Sequence, residues 1–468
     1  MSDQDDPITR RKFIENAGAA VGAATLGIGC SSDDAKPGPE AGAQGVGSGG
    51  NPAAAGASGG SAPAADGGRP AAGRGAALAG SGGRVVSPAG GSSGGAAGVS
   101  GGAGGTSGAS GGNSGRSAGI TGSAAGEPAS AGEPASAGSA APPAGQVVVA
   151  IVGRSDIDEA VARAVELAGG LGAIQPGQTV FIKPNAVSDR VVGTPGIRTS
   201  PEVLAAVVRL VRSRNPGKII VGDRSARAFP DTAGVFERTG LRQAALDAGA
   251  DEVYAARSPV DAPEEWMLLQ PERYEETWMA AGGLLAMKRI LEADHLINVP
   301  TCKDHRYALF SMSMKNFVGA IGDSSRDPLH FASSISGNFN GIGRDIAIMN
   351  QMYRPTLNII DATTALVNGG PEGDGSDAVR TSPGLIIASS DRVAADAAGV
   401  SLIQRELMTA NVPRPDPANA SLQRDPAWKL PQIQQAIERK LGVASAASVM
   451  LAFDGVDDSA GIEAKFRA

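Results

Sequence analysis

A long stretch with very few large apolar side chains is the strongest constraint on how this chain can fold. Between residues 31 and 145, Gly, Ala and Ser fill 83 of 115 positions, and Phe, Trp and Tyr are absent. Such a segment buries too little apolar surface to offset the entropy that is lost when its backbone is ordered. We therefore predict a disordered linker over residues 30–145 and a folded region over residues 146–468.

Charge and cysteine content exclude several classes of protein. The folded region carries 38 acidic and 33 basic side chains without a basic block, which argues against nucleic acid as a partner. The chain has only two cysteines, Cys30 and Cys302, so one chain cannot form an internal disulfide framework or a four-cysteine zinc or iron–sulfur site. No apolar run reaches the 18 residues that a spanning helix needs.

The N-terminal residues have the layout of an export signal. Paired Arg10 and Arg11 are followed by Phe13, and a weakly apolar run over residues 17–29 ends at Cys30. This order resembles a twin-arginine signal peptide over residues 1–29, with Cys30 placed as in a lipobox for acylation. The pattern predicts recognition by the twin-arginine export machinery and a location in the periplasm or cell envelope. Contact with the membrane is expected only through the lipid anchor on Cys30.

Strand-like and helix-like segments alternate along the folded region. We predict an α/β fold with a mostly parallel sheet flanked by helices, in one large domain or two closely packed subdomains. Strands are predicted over 147–152, 179–182, 218–221, 252–254, 295–299, 357–360 and 385–388, and helices over 157–167, 201–211, 235–248 and 393–405. Ligands of such sheets lie beyond the carboxyl ends of the strands, so the polar residues there are the candidate site.

Five short motifs follow these strands in a fixed order. They are Ile182-Lys183-Pro184-Asn185, Val221-Gly222-Asp223, Lys303-Asp304-His305, Met314-Lys315-Asn316 and Ile360-Asp361. In this order the region of about 146–405 resembles the family of domain of unknown function number 362. The resemblance implies an α/β fold. Many relatives also carry ferredoxin-type cysteine clusters, which this chain lacks, so no iron–sulfur cluster is carried over.

The polar residues at the strand ends indicate an anion site. The candidate ligand-binding residues are Lys183, Asn185, Asp223, Lys303, Lys315, Asn316 and Asp361, joined by Arg326. Three ammonium groups at one edge of a sheet suit a small carboxylate or phosphate. His305 and His330 are the candidate catalytic residues, because imidazole exchanges protons near neutral pH. His295 is interpreted as a core or edge residue.

Three functions agree with this pattern. The leading one is an exported enzyme that acts on a small anionic molecule by histidine acid–base chemistry. The second is a non-catalytic, anion-binding surface lipoprotein. The third is a metal-dependent enzyme in which His305, His330 and Asp361 form a two-histidine, one-carboxylate set. No motif identifies the substrate or a cofactor.

Local patterns near the candidate site give further expectations. Leu309, Met312 and Phe317 are spaced as in a packed helix that would hold Lys315 over the sheet edge. The glycine-rich segment 368–375 is interpreted as a long turn, and Cys302 as a small buried residue rather than an activated thiol.

Export should depend on the arginine pair. We expect the double substitution of Arg10 and Arg11 by Lys to leave the precursor in the cytoplasm, because receptor-read signals of this type tolerate little change in the pair. Cell fractionation with an antibody against the folded region measures this. Mature protein outside the cytoplasm of the variant strain would point to another export route.

Overall fold

The computed structural model describes residues 146–271, 282–334, 339–412 and 417–468. The predicted signal peptide and linker, including Arg10, Arg11 and Cys30, lie outside the described residues. So does the side chain of His330. Within the described ranges, no helix combines the length and the apolar character needed to cross a bilayer.

The fold is built on one large mixed sheet. Its strands are β1 (Val147–Gly153), β2 (Thr179–Pro184), β3 (Lys218–Asp223), β4 (Glu252–Ala255), β7 (His295–Val299), β8 (Thr301–His305), β9 (Leu309–Ser311), β10 (Leu357–Asn368), β11 (Val379–Thr381), β12 (Leu385–Ser389) and β13 (Val449–Asp454). The main path runs β13-β1-β12-β10-β7-β2-β3-β4, while β8 and β11 pair with β10 and β9 pairs with β8. Strands β5 (Trp266–Leu269) and β6 (Leu284–Met287) form a separate antiparallel pair.

Helices flank this sheet. They are α1 (Ile157–Leu167), α2 (Pro201–Arg212), α3 (Thr232–Arg238), α4 (Leu241–Asp247), α5 (Lys288–Glu292), α6 (Ser313–Asn316), α7 (Asp323–Ser334), α8 (Phe339–Asn350), α9 (Arg392–Leu407), α10 (Pro417–Arg424), α11 (Pro431–Glu438) and α12 (Ser459–Arg467). Short 3-10 turns cover Pro263–Glu265, Phe317–Ala320, Ala427–Lys429 and Ala446–Ser448.

Two apolar layers cover the two faces of the sheet. In β1, Val149 and Ile151 join one buried cluster, while Ala150 and Val152 join the other. This alternation follows from the two-residue period of a strand, and burial on both faces explains why the strands read as continuous apolar runs. The predicted α/β class with a mostly parallel, helix-flanked sheet is confirmed, and the sheet is one body of eleven strands.

One predicted helix is interrupted. The single helix predicted over residues 235–248 is two helices, α3 and α4. Gly240 separates them with a φ of 76°, a backbone conformation that a glycine adopts without steric cost. The apolar periodicity continues through the break, so the pattern carries no sign of it.

The segment after Pro300 also differs from the prediction. Lys303 and His305 were expected just beyond a strand, but they lie within β8, which pairs in parallel with the long strand β10. The helix predicted from Leu309, Met312 and Phe317 is wrong. Leu309 belongs to β9, α6 begins only at Ser313, and Phe317 starts a 3-10 turn. Pairing with β10 and β8 therefore overrides the helical spacing.

A substitution at Gly222 tests how closely the strands of this sheet pack. A Cβ at this position would lie 2.7 Å from Cζ of Phe181 and 2.8 Å from the carbonyl oxygen of Tyr254. We expect Gly222→Ala to lower the free energy of unfolding by about 1–3 kcal/mol, the cost of overpacking a core. Urea unfolding measures this. In the control, Gly172→Ala, the added Cβ meets nothing within 4 Å. Equal stability of the two variants would contradict the close packing.

Candidate functional site

A buried ion pair lies where β2 and β3 end. These strands pair in parallel, and the last residues of each bring Lys183 and Asp223 together, with Nζ of Lys183 2.6 Å from Oδ1 of Asp223. Both side chains are buried. The carboxylate also accepts hydrogen bonds from the backbone N–H of Ala186 and Arg224. Burial lowers the pKa of Lys183, and the charge of Asp223 opposes that shift.

Gly319 allows this pair to pack against the segment after α6. A Cβ at Gly319 would lie 2.1 Å from Oδ1 of Asp223 and 2.8 Å from Nζ of Lys183. Any side chain would therefore push the pair apart. The backbone N–H of Arg224 also donates to the Gly319 carbonyl oxygen, which ties β3 to the same segment.

A row of buried amides fixes Asn316 beside Lys183. Nδ2 of Asn316 donates to Oδ1 of Asn298 at 2.8 Å and approaches the carbonyl oxygen of Lys183 at 3.3 Å. Nδ2 of Asn298 donates in turn to Oδ1 of Asn358 at 3.0 Å. Because Lys183 and Asn298 face each other across β2 and β7, this row locks α6 onto the strand ends.

Asp396 holds the start of α6 from the other side. Its two carboxylate oxygens accept hydrogen bonds from the backbone N–H groups of Ser313, at 2.6 Å, and Met314, at 3.0 Å. Burial raises the pKa of Asp396 to about 7, and these hydrogen bonds oppose the shift. The helix that carries Lys315 and Asn316 is therefore clamped by α9 at its start and by the amide row at its end.

Lys303 extends from β8 towards two backbone carbonyl oxygens. The side chain is only 1% exposed, and its Nζ donates to the carbonyl oxygen of Ile197 at 2.6 Å and approaches that of Pro371 at 3.5 Å. Burial and the positive charge of Lys315 lower the pKa of Lys303 to about 7. Lys303 can therefore gain or lose a proton near neutral pH.

Lys315 projects from α6 into the same charged region. It is 6% exposed, and no hydrogen bond or ion pair joins its ammonium group to a residue in the described ranges. Burial and the charge of Arg326 lower its pKa to about 8. The guanidinium of Arg326 is itself held by the backbone carbonyl oxygens of Ile321, Ser225 and Arg224.

These cations form one electrostatically connected cluster, which we call the cation cluster. Its members are Lys183, Lys303, Lys315, Arg198 and Arg326, and all are buried. Arg326 acts on Lys183 and Lys315, while Lys315 and Arg198 act on Lys303. Glu372 is the carboxylate that acts on both Lys303 and Lys315, and it is half-exposed in the turn after β10. The charge of Arg326 thus reaches both Lys183 and Lys315, and the charge of Lys315 reaches Lys303.

His305 lies two residues beyond Lys303 in β8, so the two side chains share a face of that strand. Its Nδ1 accepts a hydrogen bond from the backbone N–H of Tyr307 at 3.2 Å. The neutral ring therefore carries its proton on Nε2. The neighbouring Asp304 accepts from the backbone N–H of Gly370, which fastens the turn after β10 onto β8.

Asp361 and Asn185 bind backbone at the edge of this region. Oδ2 of Asp361 accepts from the N–H of Ser200 at 2.7 Å, and Oδ1 accepts from the hydroxyl of Thr363 at 2.6 Å. Burial raises the pKa of Asp361, and the hydrogen bond from Thr363 is the largest opposing contribution. Oδ1 of Asn185 accepts from the N–H of Val187. Oδ2 of Asp361 thus helps to position the start of α2, and Oδ1 bonds within β10.

His295 and Cys302 are held inside the fold by bonding or burial. In β7, both ring nitrogens of His295 contact polar partners, Thr356 and Gln178. Cys302 is fully buried, and burial raises the pKa of its thiol. Among the described residues, no group of three His, Cys, Asp or Glu side chains is arranged to hold a metal ion.

Several residues of the region were not among the candidates that the sequence indicated. Arg198 and Glu372 lie in segments read as loops, Asn298 lies inside a strand, and Asp396 lies inside a helix. Nothing in the sequence distinguishes Gly319 from the other glycines of the chain, which number 67 in all. The one usable sign was Asp396 in an otherwise apolar helical segment, since a buried carboxylate needs hydrogen-bond partners.

The family comparison covers the same region. Residues 180–401 match the family model described as "Domain of unknown function (DUF362)". This range includes all the residues from Lys183 to Asp361 that form the site described above. The match supports the resemblance that the order of the motifs indicated.

A curated relative extends the comparison. The chain is 29% identical over 250 residues to the "Thylakoid-associated protein sll1697" of Synechocystis sp., which covers 52% of this chain and 69% of that protein.

Two solved structures are more distant. One is a protein from Thermotoga maritima solved by the Northeast Structural Genomics Consortium, with 12% identity and a TM-score of 0.32 over 49% of this chain and 53% of that chain. This chain thus spans about half the length of that protein. The other is the lactate racemase apoprotein from Thermoanaerobacterium thermosaccharolyticum, with 11% identity and a TM-score of 0.34 over 68% of this chain and 86% of that chain. Neither likeness bears on activity.

The Lys183–Asp223 pair should be essential for stability. We expect Asp223→Asn to lower the free energy of unfolding by about 3–5 kcal/mol, because it leaves Lys183 buried without a counter-charge. Urea unfolding measures the change. The control is Asp158→Asn, which breaks the exposed pair with Arg209 and should cost less than about 1 kcal/mol. If the two variants lose equal stability, Asp223 does not offset the buried charge.

Proposed function

We propose that this chain is an exported, lipid-anchored enzyme whose cation cluster binds a small carboxylate or phosphate and whose Lys303 and His305 transfer protons. The observation that carries the proposal is the cluster itself. The positive charges of Lys315 and Arg326 lower the pKa values of Lys303 and Lys315 respectively, and Lys315 has no counter-charge bonded to it among the described residues. An anion bound there would offset these charges, so the arrangement favours anion binding.

The proton-transfer part of the proposal rests on Lys303. Its pKa of about 7 gives it comparable charged and neutral populations at neutral pH, as an acid–base catalyst requires. His305 shares its strand face and supplies an imidazole as a second group that can exchange a proton. In this proposal, Lys303 and His305 would donate and accept protons beside the positive charge that would hold the substrate.

The export and lipid-anchor parts of the proposal rest on Arg10, Arg11 and Cys30, which have the layout described for the sequence. The relative from Synechocystis is named as thylakoid-associated, and a protein held at a membrane surface by a lipid agrees with that name.

Sulfate is a suitable probe of the cluster because its charge does not change between pH 6 and pH 9. Isothermal titration calorimetry with the full-length protein should show binding that weakens on the order of tenfold to a hundredfold from pH 7 to pH 9. The reason is that the pKa values of Lys303 and Lys315 are about 7 and about 8, so rising pH removes the two charges that an anion needs.

Substitutions distinguish sulfate binding at the cation cluster from sulfate binding to general surface charge. Lys303→Met and Lys315→Met should abolish sulfate binding without lowering the melting temperature, because each removes a buried ammonium group that has no ion-pair partner bonded to it. Lys288→Met is the matched control at an exposed lysine and should bind sulfate normally. Binding that is unchanged in both cluster variants, or that is independent of pH, would refute the site.

Turnover separates an enzyme from a binding protein. The full-length protein is incubated with small carboxylates and phosphate esters, and products are followed by mass spectrometry. Conversion that is lost in Lys303→Met and in His305→Ala supports the enzyme. Sulfate binding without any conversion would instead favour the non-catalytic anion-binding lipoprotein.

A further inference from the structure

The three buried lysines of the cation cluster differ in their bonding. Lys183 is ion-paired with Asp223 at 2.6 Å. Lys303 donates to the carbonyl oxygen of Ile197 at 2.6 Å. Lys315 bonds to no residue in the described part of the chain, although it is 94% buried. A lysine that is mostly withdrawn from solvent and whose amine is bonded to no described residue is available to a ligand, so a fold that keeps one points to a use for it.

The backbone that carries Lys315 is held firmly. Asp396 accepts hydrogen bonds from the N–H groups of Ser313 and Met314, and Nδ2 of Asn350 donates to the Met314 carbonyl oxygen at 2.9 Å. Asn316 is bound to Asn298. The position of the amine is therefore set by its neighbours in α6 and not by a bond of its own, which is the arrangement of a preorganised reactive group.

The charges around Lys315 favour its neutral, nucleophilic form. Arg326 is held by three backbone carbonyl oxygens, so its positive charge stays beside the amine. The one carboxylate that acts on Lys315, that of Glu372, is half-exposed and also contacts Arg306. A lysine that is desolvated beside other cations is an activated nucleophile.

We infer that Lys315 forms an imine with the carbonyl carbon of a small oxo acid, whose carboxylate is held by the neighbouring cations of the cluster. The inference rests on the proposed function and narrows its substrate class from small anions to anions that also carry an aldehyde or ketone. Lys183 is the internal comparison, because it is equally buried but is bonded to a carboxylate.

The chemical step balances without an oxidant or reductant. Neutral Nζ of Lys315 attacks the carbonyl carbon to form a C–N bond, and the carbonyl electron pair moves to oxygen. An N–H proton passes to that oxygen, and a second proton comes from the Lys303 ammonium group. The oxygen then leaves as water when the C–O bond breaks, and the nitrogen lone pair completes the C=N bond of a protonated imine.

Reductive trapping tests the assignment. The full-length protein is incubated at pH 7 with pyruvate and, separately, with acetoacetate, and is then reduced with sodium borohydride. Intact-mass measurement and peptide mapping should find one adduct per chain, located on Lys315. Lys183 and the exposed Lys218 should remain unmodified. Lys315→Arg and Lys315→Met should give no adduct, and Lys303→Met should form it at least about tenfold more slowly.

Competition distinguishes failure of the inference from failure of the proposed function. Lactate and sulfate lack a carbonyl carbon that can react, so they should slow trapping by occupying the site and should leave no adduct themselves. If sulfate binds but neither oxo acid modifies Lys315, the imine is refuted and the anion site stands. If no anion binds, both are refuted. Modification of Lys303 in place of Lys315, or equal modification of exposed lysines, also overturns the assignment.

Discussion

The structure around the site depends on burying positive charge, and the ion pair of Lys183 with Asp223 is what makes that burial tolerable at the sheet edge. The pair ends two neighbouring parallel strands at one point, and its carboxylate also binds two backbone N–H groups. Only a glycine at position 319 leaves room for it. With this cation neutralised, the same edge can hold Lys303 and Lys315, whose charges are not neutralised by bonded carboxylates.

The polar side chains of the site fall into two groups, those bonded within the protein and those left available to a ligand. Asp396 and the amides of Asn298 and Asn316 use their hydrogen bonds on backbone and on each other, so they fix α6 and have little capacity left for a ligand. Lys315 is in the opposite situation. Its backbone is fixed and its side chain is not bonded to any residue in the described ranges. A rigid frame around such an amine is how a protein lowers the entropic cost of binding and reaction.

The ends of the strands were predictable. A continuous apolar run followed directly by Lys, Asn or Asp is typical of the carboxyl end of a buried parallel strand. This reasoning located Lys183 and Asp223 at the ends of β2 and β3, as the structure has them. It failed after Pro300, where β8 is a polar strand that pairs with the twelve-residue strand β10. That pairing joins residues far apart in sequence, and no local pattern encodes it. The contacts of Asp396 with α6 were equally hidden, because a single carboxylate in a helix does not reveal its partner.

The order of strands in the sheet bears on how the protein is made. Strand β1 comes early in the folded region, yet its neighbours are β12 and β13, so Val147 faces Val449 across the sheet. A ribosome must therefore release about 300 residues of this region before β1 can pair on both sides. Until then its unpaired edges are open to association with other chains. An export route that carries folded proteins would therefore act only after the C-terminal strand β13 has been made and has paired with β1.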